Sequence, residues 1–347
     1  MPSTSGPTPE LTTHGSEVVA CHDAFTLTDI QLFHRFTSVT CHYLANPNKS
    51  SPWLDEIPAM STKHPFLLHE IMALAAVDMS RDVAGSQDAS TAYLEVARNH
   101  HAKALAGLLP AITANSPDLV APVWACNSLF VPYYFATTAD VASLLFTPEP
   151  HPGPAEWMLP LRGGVTIWKS NEKVLLDGKM GLHLKPYQQN LQEALVLMEP
   201  SSNPSEAVLL HMIEQLQMGG YDDNERRVMT ETFGILRHCF RVSDRDDALA
   251  KKTASLTFCA VVPREFFEML GRKRRAPLVV MAFWCVLLHR AEKGNWWMSF
   301  KTDRLSEMLA FIAESLGPEG RELISWPLEQ MLGSSRDYLG NPRTPSG

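Results

Sequence analysis

The sequence predicts an all-α fold: one irregular multi-helix domain over residues 25–335, preceded by a disordered lead-in (1–24) and followed by a disordered tail (336–347). Three observations predict it. Apolar residues recur every three or four positions in most segments, the sustained apolar–polar alternation of strands is absent, and proline- or serine-rich breaks separate the periodic stretches. Ordinary helix and loop lengths then give about ten to twelve helices. No repeat period of about 20–50 residues is evident, which argues against a solenoid.

The opening "MPSTSGPTPELTTHGSE" is polar and proline-rich and lacks the charged-then-apolar pattern of a secretory signal. In "FTLTDIQLFHRFTSVTCHYL", Thr28 or Asp29 is the expected helix cap, and Leu32, Phe36, Val39 and Tyr43 then share one stripe. A proline-broken loop runs on to Pro58. In "STKHPFLLHEIMALAAVDMS", residues 61–80, Pro65 suits a first helical position, and Leu67, Ile71, Ala75 and Met79 recur every fourth residue. Five residues turn a side chain about 140° around a helix, so His64 and His69 cannot share a metal on one face. Over residues 90–109, Tyr93, Ala97, His100, Ala104 and Leu108 line up, with Leu105 beside them. His100 and His101 therefore border a packed face. Neither has an acidic partner at helical spacing, so a helix contact is expected for both rather than a ligand or base role.

"SPDLVAPVWACNSLFVPYYFATT" carries Pro122 near its start and Pro132 inside it, so a bend or break is expected near "VPYY"; kinks beside aromatics often border cavities. Residues 139–160, with Pro148, Pro150, Pro152, Pro154 and Pro160, read as a loop, and the next helix is expected near "WMLPLRGGVTIW". Residues 177–205 are weakly patterned, "EPSSNPSEA" marks another loop, and helices resume at Val208, Arg226, Arg264, Pro277, Thr302 and Pro318.

With 45% hydrophobic and 20% charged residues, 347 residues can bury a large core. A net charge of −8 argues against an extended phosphate-binding surface. The six cysteines are scattered and form no C-x-x-C pair, which predicts reduced thiols in an intracellular protein. The longest apolar run, residues 277–289, is shorter than the about 20 residues of a membrane-spanning helix and reads as a helix buried on all sides. "GRKRRAP", residues 271–277, is the one dense basic cluster. A solvated helix entrance and a nuclear import signal are the two readings of it.

The common catalytic signatures are missing: no G-x-S-x-G elbow, no G-x-G-x-x-G after a strand, no phosphate-loop G-K-[ST] and no H-E-x-x-H. "YDDNERR" resembles the aspartate-rich motif of class I terpene cyclases, but the second metal-binding motif such enzymes need is absent, and "DDNE" is a common helix-cap composition. No metal site and no cofactor are expected. Met281, Phe283, Trp284, Trp296, Trp297, Met298 and Phe300 concentrate large apolar groups in the last third. Core packing is the first reading of them and the lining of an apolar ligand pocket the second. His289, one helical turn after Cys285, is the polar group placed to steer chemistry there.

The segments "LTDIQLFHRFTSVT", "HPFLLHEIMALAAVDMS", "YLEVARNHHAKALAGL", "WMLPLRGGVTIW" and "PLVVMAFWCVLLH...WWMSF...LGPEGRELISWPLE", in this order and spacing, resemble the C-terminal regulatory domain of fungal zinc-cluster transcription factors, and most nearly the sterol uptake control subgroup. The resemblance covers residues 25–331. It implies an all-helical domain that, in sterol-responsive members, holds a hydrophobic ligand among C-terminal helices, with nuclear or cytoplasmic residence. The ligand-binding residues implied are Met281, Phe283, Trp284, His289, Trp296, Trp297 and Phe300. The six closely spaced cysteines that hold two zinc ions in such factors are not in this sequence. The expected partners are a hydrophobic small molecule and a second copy of the chain, with no nucleic acid bound by this chain alone and no membrane span. Three origins stay open: a regulator without its own DNA-reading part, a sequence lacking an upstream segment, or the ligand-binding fold reused for chemistry. In the last case the chain would be a cofactor-free isomerase or cyclase of fungal secondary metabolism, acting by holding an isoprenoid or polyene in a reactive geometry.

Overall fold

A computed structural model describes residues 25–45, 51–114, 116–181, 184–185, 188–189, 204–216, 220–292, 295–299 and 303–332. The lead-in and the tail expected from sequence lie outside these residues. The fold is all-α; among the described residues no strand forms, and one isolated bridge joins Thr147 to Gly153.

Helix α1 (Leu27–Arg35) starts earlier than the expected cap. Thr26 is the N-cap: its hydroxyl accepts from the Asp29 N–H, and the Asp29 carboxylate accepts from the Thr26 N–H. Asp29 is thus the reciprocal member of a capping box, three residues into the helix. Leu32 and Phe36 are fully buried, as their stripe requires. A π-helical turn (Phe36–Thr40) then leads into α2 (Cys41–Leu44). The wider turn shifts the register by one residue, so that Thr40 rather than Val39 is fully buried. The Thr40 hydroxyl and Arg35 Nε both donate to Oδ2 of the buried Asp78, each at 2.8 Å, and Arg81 pairs with the other carboxylate oxygen at 3.2 Å.

After the short α3 (Glu56–Ser61), α4 (Pro65–Asp82) and α5 (Gln87–Ala114) form a long antiparallel hairpin. Pro65 occupies the first turn of α4, where its missing N–H costs nothing. A Cβ at Gly107 would lie 2.9 Å from Phe66 Cβ, so only glycine permits this helix approach. His100 and His101 sit at the hairpin contact, and both have acidic partners on other helices: Asp29 at 3.1 Å for His100 and Glu70 at 2.8 Å for His101.

Helix α6 (Pro117–Thr137) runs unbroken through Pro122 and Pro132, so of the bend or break expected near "VPYY" the break does not occur. Each proline removes one N–H. Burial of most side chains along the helix against α4, α5 and the later α8 maintains it. At its end, Arg304 donates to the carbonyls of Phe135, Ala136 and Thr138. By length and mean hydropathy α6 could cross a membrane, yet 72% of that stretch is buried inside the protein, as expected of a core helix.

The proline-rich stretch holds only the four-residue α7 (Ala142–Leu145), and α8 (Met158–Asp177) begins in "WMLPLRGGVTIW" as predicted. Then come α9 (Pro204–Gln215), α10 (Asp223–Ser243), α11 (Ala248–Val261), α12 (Arg264–Gly271), α13 (Arg275–Ala291), α14 (Arg304–Arg321) and α15 (Ser325–Leu332). "YDDNERR" is a helix start: Asp222 caps α10 in a second capping box with Glu225. The helix expected from Pro318 is the tail of α14 beyond Gly317, whose φ of 68° kinks it. Helix α11 was not predicted at all.

The basic cluster lies at the entrance to α13. Arg274 pairs with Glu225 at 2.8 Å and stacks on Tyr221, Lys273 lies over the Phe311 ring, and Arg275 donates to the Glu319 carbonyl. Helix α13 is the centre of the C-terminal half: every residue from Ala276 to Leu288 is buried. Trp284 lies flat against Trp157 and Phe258 and donates its indole N–H to the Ser255 carbonyl on α11 at 2.8 Å. Among the described residues, five cysteines are free and buried; burial pushes the Cys239 and Cys285 thiols up to about 12. Replacing Trp284 by Ala should cost about 3–5 kcal/mol in urea unfolding, since a fully packed indole is lost and its bond to α11 with it; a cost under about 1 kcal/mol would show that this packing is not structural.

Candidate functional site

Helices α6, α8 and α11 meet at an angle that leaves an apolar cleft of about 190 Å³. The α6 wall presents Trp124, Asn127, Ser128, Val131 and Pro132, so the proline expected beside a cavity does border one. The α8 wall presents Leu161, Gly164, Val165 and Trp168. A Cβ at Gly164 would come within 3.0 Å of Asn127 Nδ2, and Asn127 itself donates to the Pro160 carbonyl at 2.5 Å. This close approach fixes the angle between two of the walls. From α11 come Lys252, Thr253, Leu256, Thr257 and Ala260, spaced three and four apart so that one helical face lines the cleft. Leu44, Trp53, Pro160, Gln188 and Trp297 complete the lining.

Four of the eight tryptophans therefore surround one small space. Trp53 stacks near Trp124 with ring centroids 6.4 Å apart, and Trp124 meets Trp168 at the same separation. Trp297 stands edge-on to Phe135 at 5.3 Å. Two supports hold α11 in position. Arg162, from α8, donates to the carbonyls of Cys259 and Val262 at 2.9 Å, taking up groups left without partners at the helix end. Trp284 holds it from behind.

Of the seven ligand-binding residues expected in the last third, six are described, and of these the structure brings only Trp297 to this cleft. Met281, Phe283 and Trp284 are packed inside the core, Phe283 against Trp326. Trp296 faces the N-terminal helices, where its ring and that of Tyr43 flank the Arg81 guanidinium. His289 is 43% exposed and pairs with Glu292 at 3.3 Å, away from the cleft. Phe300 lies outside the described residues. Sequence reasoning missed Trp53, Trp124, Trp168 and the whole α11 face.

A second, larger hollow of about 740 Å³ runs past Arg98, His101, Tyr133, Tyr134, Asp140, Glu156 and Arg304. Three of its polar groups are spent on the fold. Arg304 binds the end of α6, Asp140 accepts from the Ser143 N–H and hydroxyl, and His101 is tied to Glu70. The His101 ring lies 4.0 Å from Tyr133 and is edged by Phe130 and Tyr134, which leaves its second nitrogen buried. Burial raises the Glu70 carboxyl above its ordinary range, against the opposing pull of His101. The pair has the composition of an acid–base dyad, but the Glu70 carboxylate is fully buried and the second His101 nitrogen is buried with it. Among the described residues, no three His, Cys, Asp or Glu side chains are arranged to hold a metal.

The matched region ends where α6 ends. Residues 31–138 match the fungal specific transcription factor domain. The similarity is to that part of the chain, and it takes in the α6 wall of the cleft together with Leu44 and Trp53. The α8 and α11 walls and Trp297 lie beyond it. No curated protein matches the chain.

Among the described residues, Lys252 is the only charged side chain lining the cleft. Desolvation lowers its pKa to about 8, because apolar walls disfavour the ammonium and no carboxylate offsets them. A folded-state pKa below the unfolded value means that the unfolded chain binds more protons between about pH 8 and 10.5, so folding gains stability as pH rises through that window. Lys252→Met should accordingly raise the melting temperature at pH 7, and the gain over the parent should shrink as pH climbs from about 8 to 10.5. An equal offset at every pH would show that the ammonium is not strained.

Proposed function

We propose that the chain is a transcription-regulatory module whose cleft between α6, α8 and α11 captures a hydrophobic small molecule of the sterol or isoprenoid class, and that it acts in the nucleus. The observation that carries the proposal is the lining: a ring of tryptophan, leucine, valine and proline around space that the core leaves unfilled. Packed interiors rarely keep such space, and apolar pockets with few polar groups are the usual ligand sites. Its volume limits the ligand. At about 190 Å³ the enclosed part is smaller than the roughly 300–1,000 Å³ of common ligand pockets, so it takes a compact isoprenoid or one end of a sterol, the remainder lying in the open mouth. The transcription-factor-like segment supplies the regulatory half of the reading.

Native mass spectrometry and tryptophan fluorescence, with ergosterol and with geraniol as probes, test capture directly. Binding should quench the cleft tryptophans, and Val131→Trp, which fills the cleft from α6, should abolish it while the far-ultraviolet circular dichroism stays helical. Fusing the chain to a heterologous DNA-binding domain tests regulation: reporter output should change with the bound probe and become indifferent to it in the Val131→Trp variant. No mass adduct, no quenching and no ligand-dependent output would remove the proposal. Recovery of a rearranged probe after incubation would move it to the cofactor-free enzyme reading.

A further inference from the structure

Among the described residues, the cleft holds one cation with nothing to neutralise it: Lys252 Nζ makes a single hydrogen bond there, to the Leu44 carbonyl at 3.4 Å, and no ion pair. That long bond uses one of three donors. The other polar members of the lining are neutral, and several are already engaged: Asn127 with Pro160, Ser128 with the Trp124 carbonyl, Gln188 with Glu172. Two buried polar atoms on lining residues have no partner at all, the Thr253 hydroxyl and the Trp297 indole N–H. Thr253 is next to Lys252 on α11, and Trp297 belongs to a short 3-10 turn (Trp296–Ser299).

All three of these groups can donate, and two of them can only donate. An ammonium among tryptophan and leucine carries a desolvation penalty unless an anion joins it. The group that would complete the surroundings of the Lys252 ammonium is an oxygen acceptor with negative charge and several lone pairs. A carboxylate has these properties, and a hydrocarbon chain behind it suits the remaining walls.

We propose that the cleft selects an apolar carboxylic acid, of fatty-acid or isoprenoid-acid type, with its carboxylate on Lys252. This rests on the reading of the cleft as a site for a hydrophobic small molecule, and it replaces the neutral sterol by a tail that carries an acid head. A neutral sterol or alcohol fills the apolar space but leaves Lys252 without a counter-charge. A carboxylate supplies it.

Decanoate and 1-decanol share one tail and differ in the head, so they separate the two questions. With the purified chain, tryptophan quenching and native mass spectrometry should show decanoate binding about tenfold or more tighter than decanol, the order expected of a desolvated charge-assisted pair. Lys252→Met should erase that preference by weakening decanoate while leaving decanol binding intact, which also reports that the variant is folded. Lys252→Arg should retain the preference. Equal affinity for acid and alcohol, or an acid preference that survives in Lys252→Met, overturns the inference and leaves the hydrophobic-ligand reading standing. Absence of binding by both probes overturns the two together.

Discussion

The ends of α6 and α11 are the constraint on which the cleft depends. A helix leaves its last carbonyls without N–H partners, and inside a protein each such group must be matched or its desolvation cost is borne by the fold. Here two arginines match them from other helices: Arg304, from α14, at the end of α6, and Arg162, from α8, at the end of α11. A guanidinium offers donors in a rigid planar fork, so it satisfies several carbonyls and also sets an angle. The two walls are therefore oriented by hydrogen bonds beyond their packed faces, and the space between them persists without being filled.

Behind this frame the chain packs in the ordinary way. Helix α13 is surrounded by apolar neighbours, and Trp284 links it to the back of α11, so the wall that faces the cleft on one side is anchored to the core on the other. In the N-terminal half the buried Asp78 joins the π-helical turn to α4 through Thr40, Arg35 and Arg81. Removing one partner of such a group costs more than the bond itself, because a buried charge is left behind.

Much of the helical framework was legible in periodicity. Leu32 and Phe36, Leu67 and Ile71, Ala97 and Ala104 are buried where their spacing puts them. Local chemistry was legible as well: "DDNE" is a helix start. The cleft was not, because its walls come from segments far apart in the chain and no local pattern states which helices meet. Helix α11 escaped notice because its inner face is made of Thr253, Thr257 and Ala260, too small and polar to register as an apolar stripe, although Asp247 caps it and was the available signal. The aromatic last third drew attention for a sound reason, since Met281, Phe283 and Trp284 are the largest apolar groups there, but a stretch apolar on all sides describes the centre of a core more often than the edge of a cavity. The acidic partners of His100 and His101 were hidden in the same way, 71 and 31 residues away in sequence.

The division of the cleft between two parts of the chain has a bearing on how such a domain diverges. The wall from α6, with Leu44 and Trp53, belongs to the segment that carries the transcription-factor-like match, and its residues are also committed to packing against α4 and α8. The facing wall on α11 offers small side chains whose cleft-side atoms support little else. Substitutions at Thr253, Thr257 or Ala260 can redraw the shape and polarity of the space while the α4–α5 hairpin keeps its geometry. The form of the cleft is in this sense a separable trait, open to drift on one helix while the scaffold is held by the others.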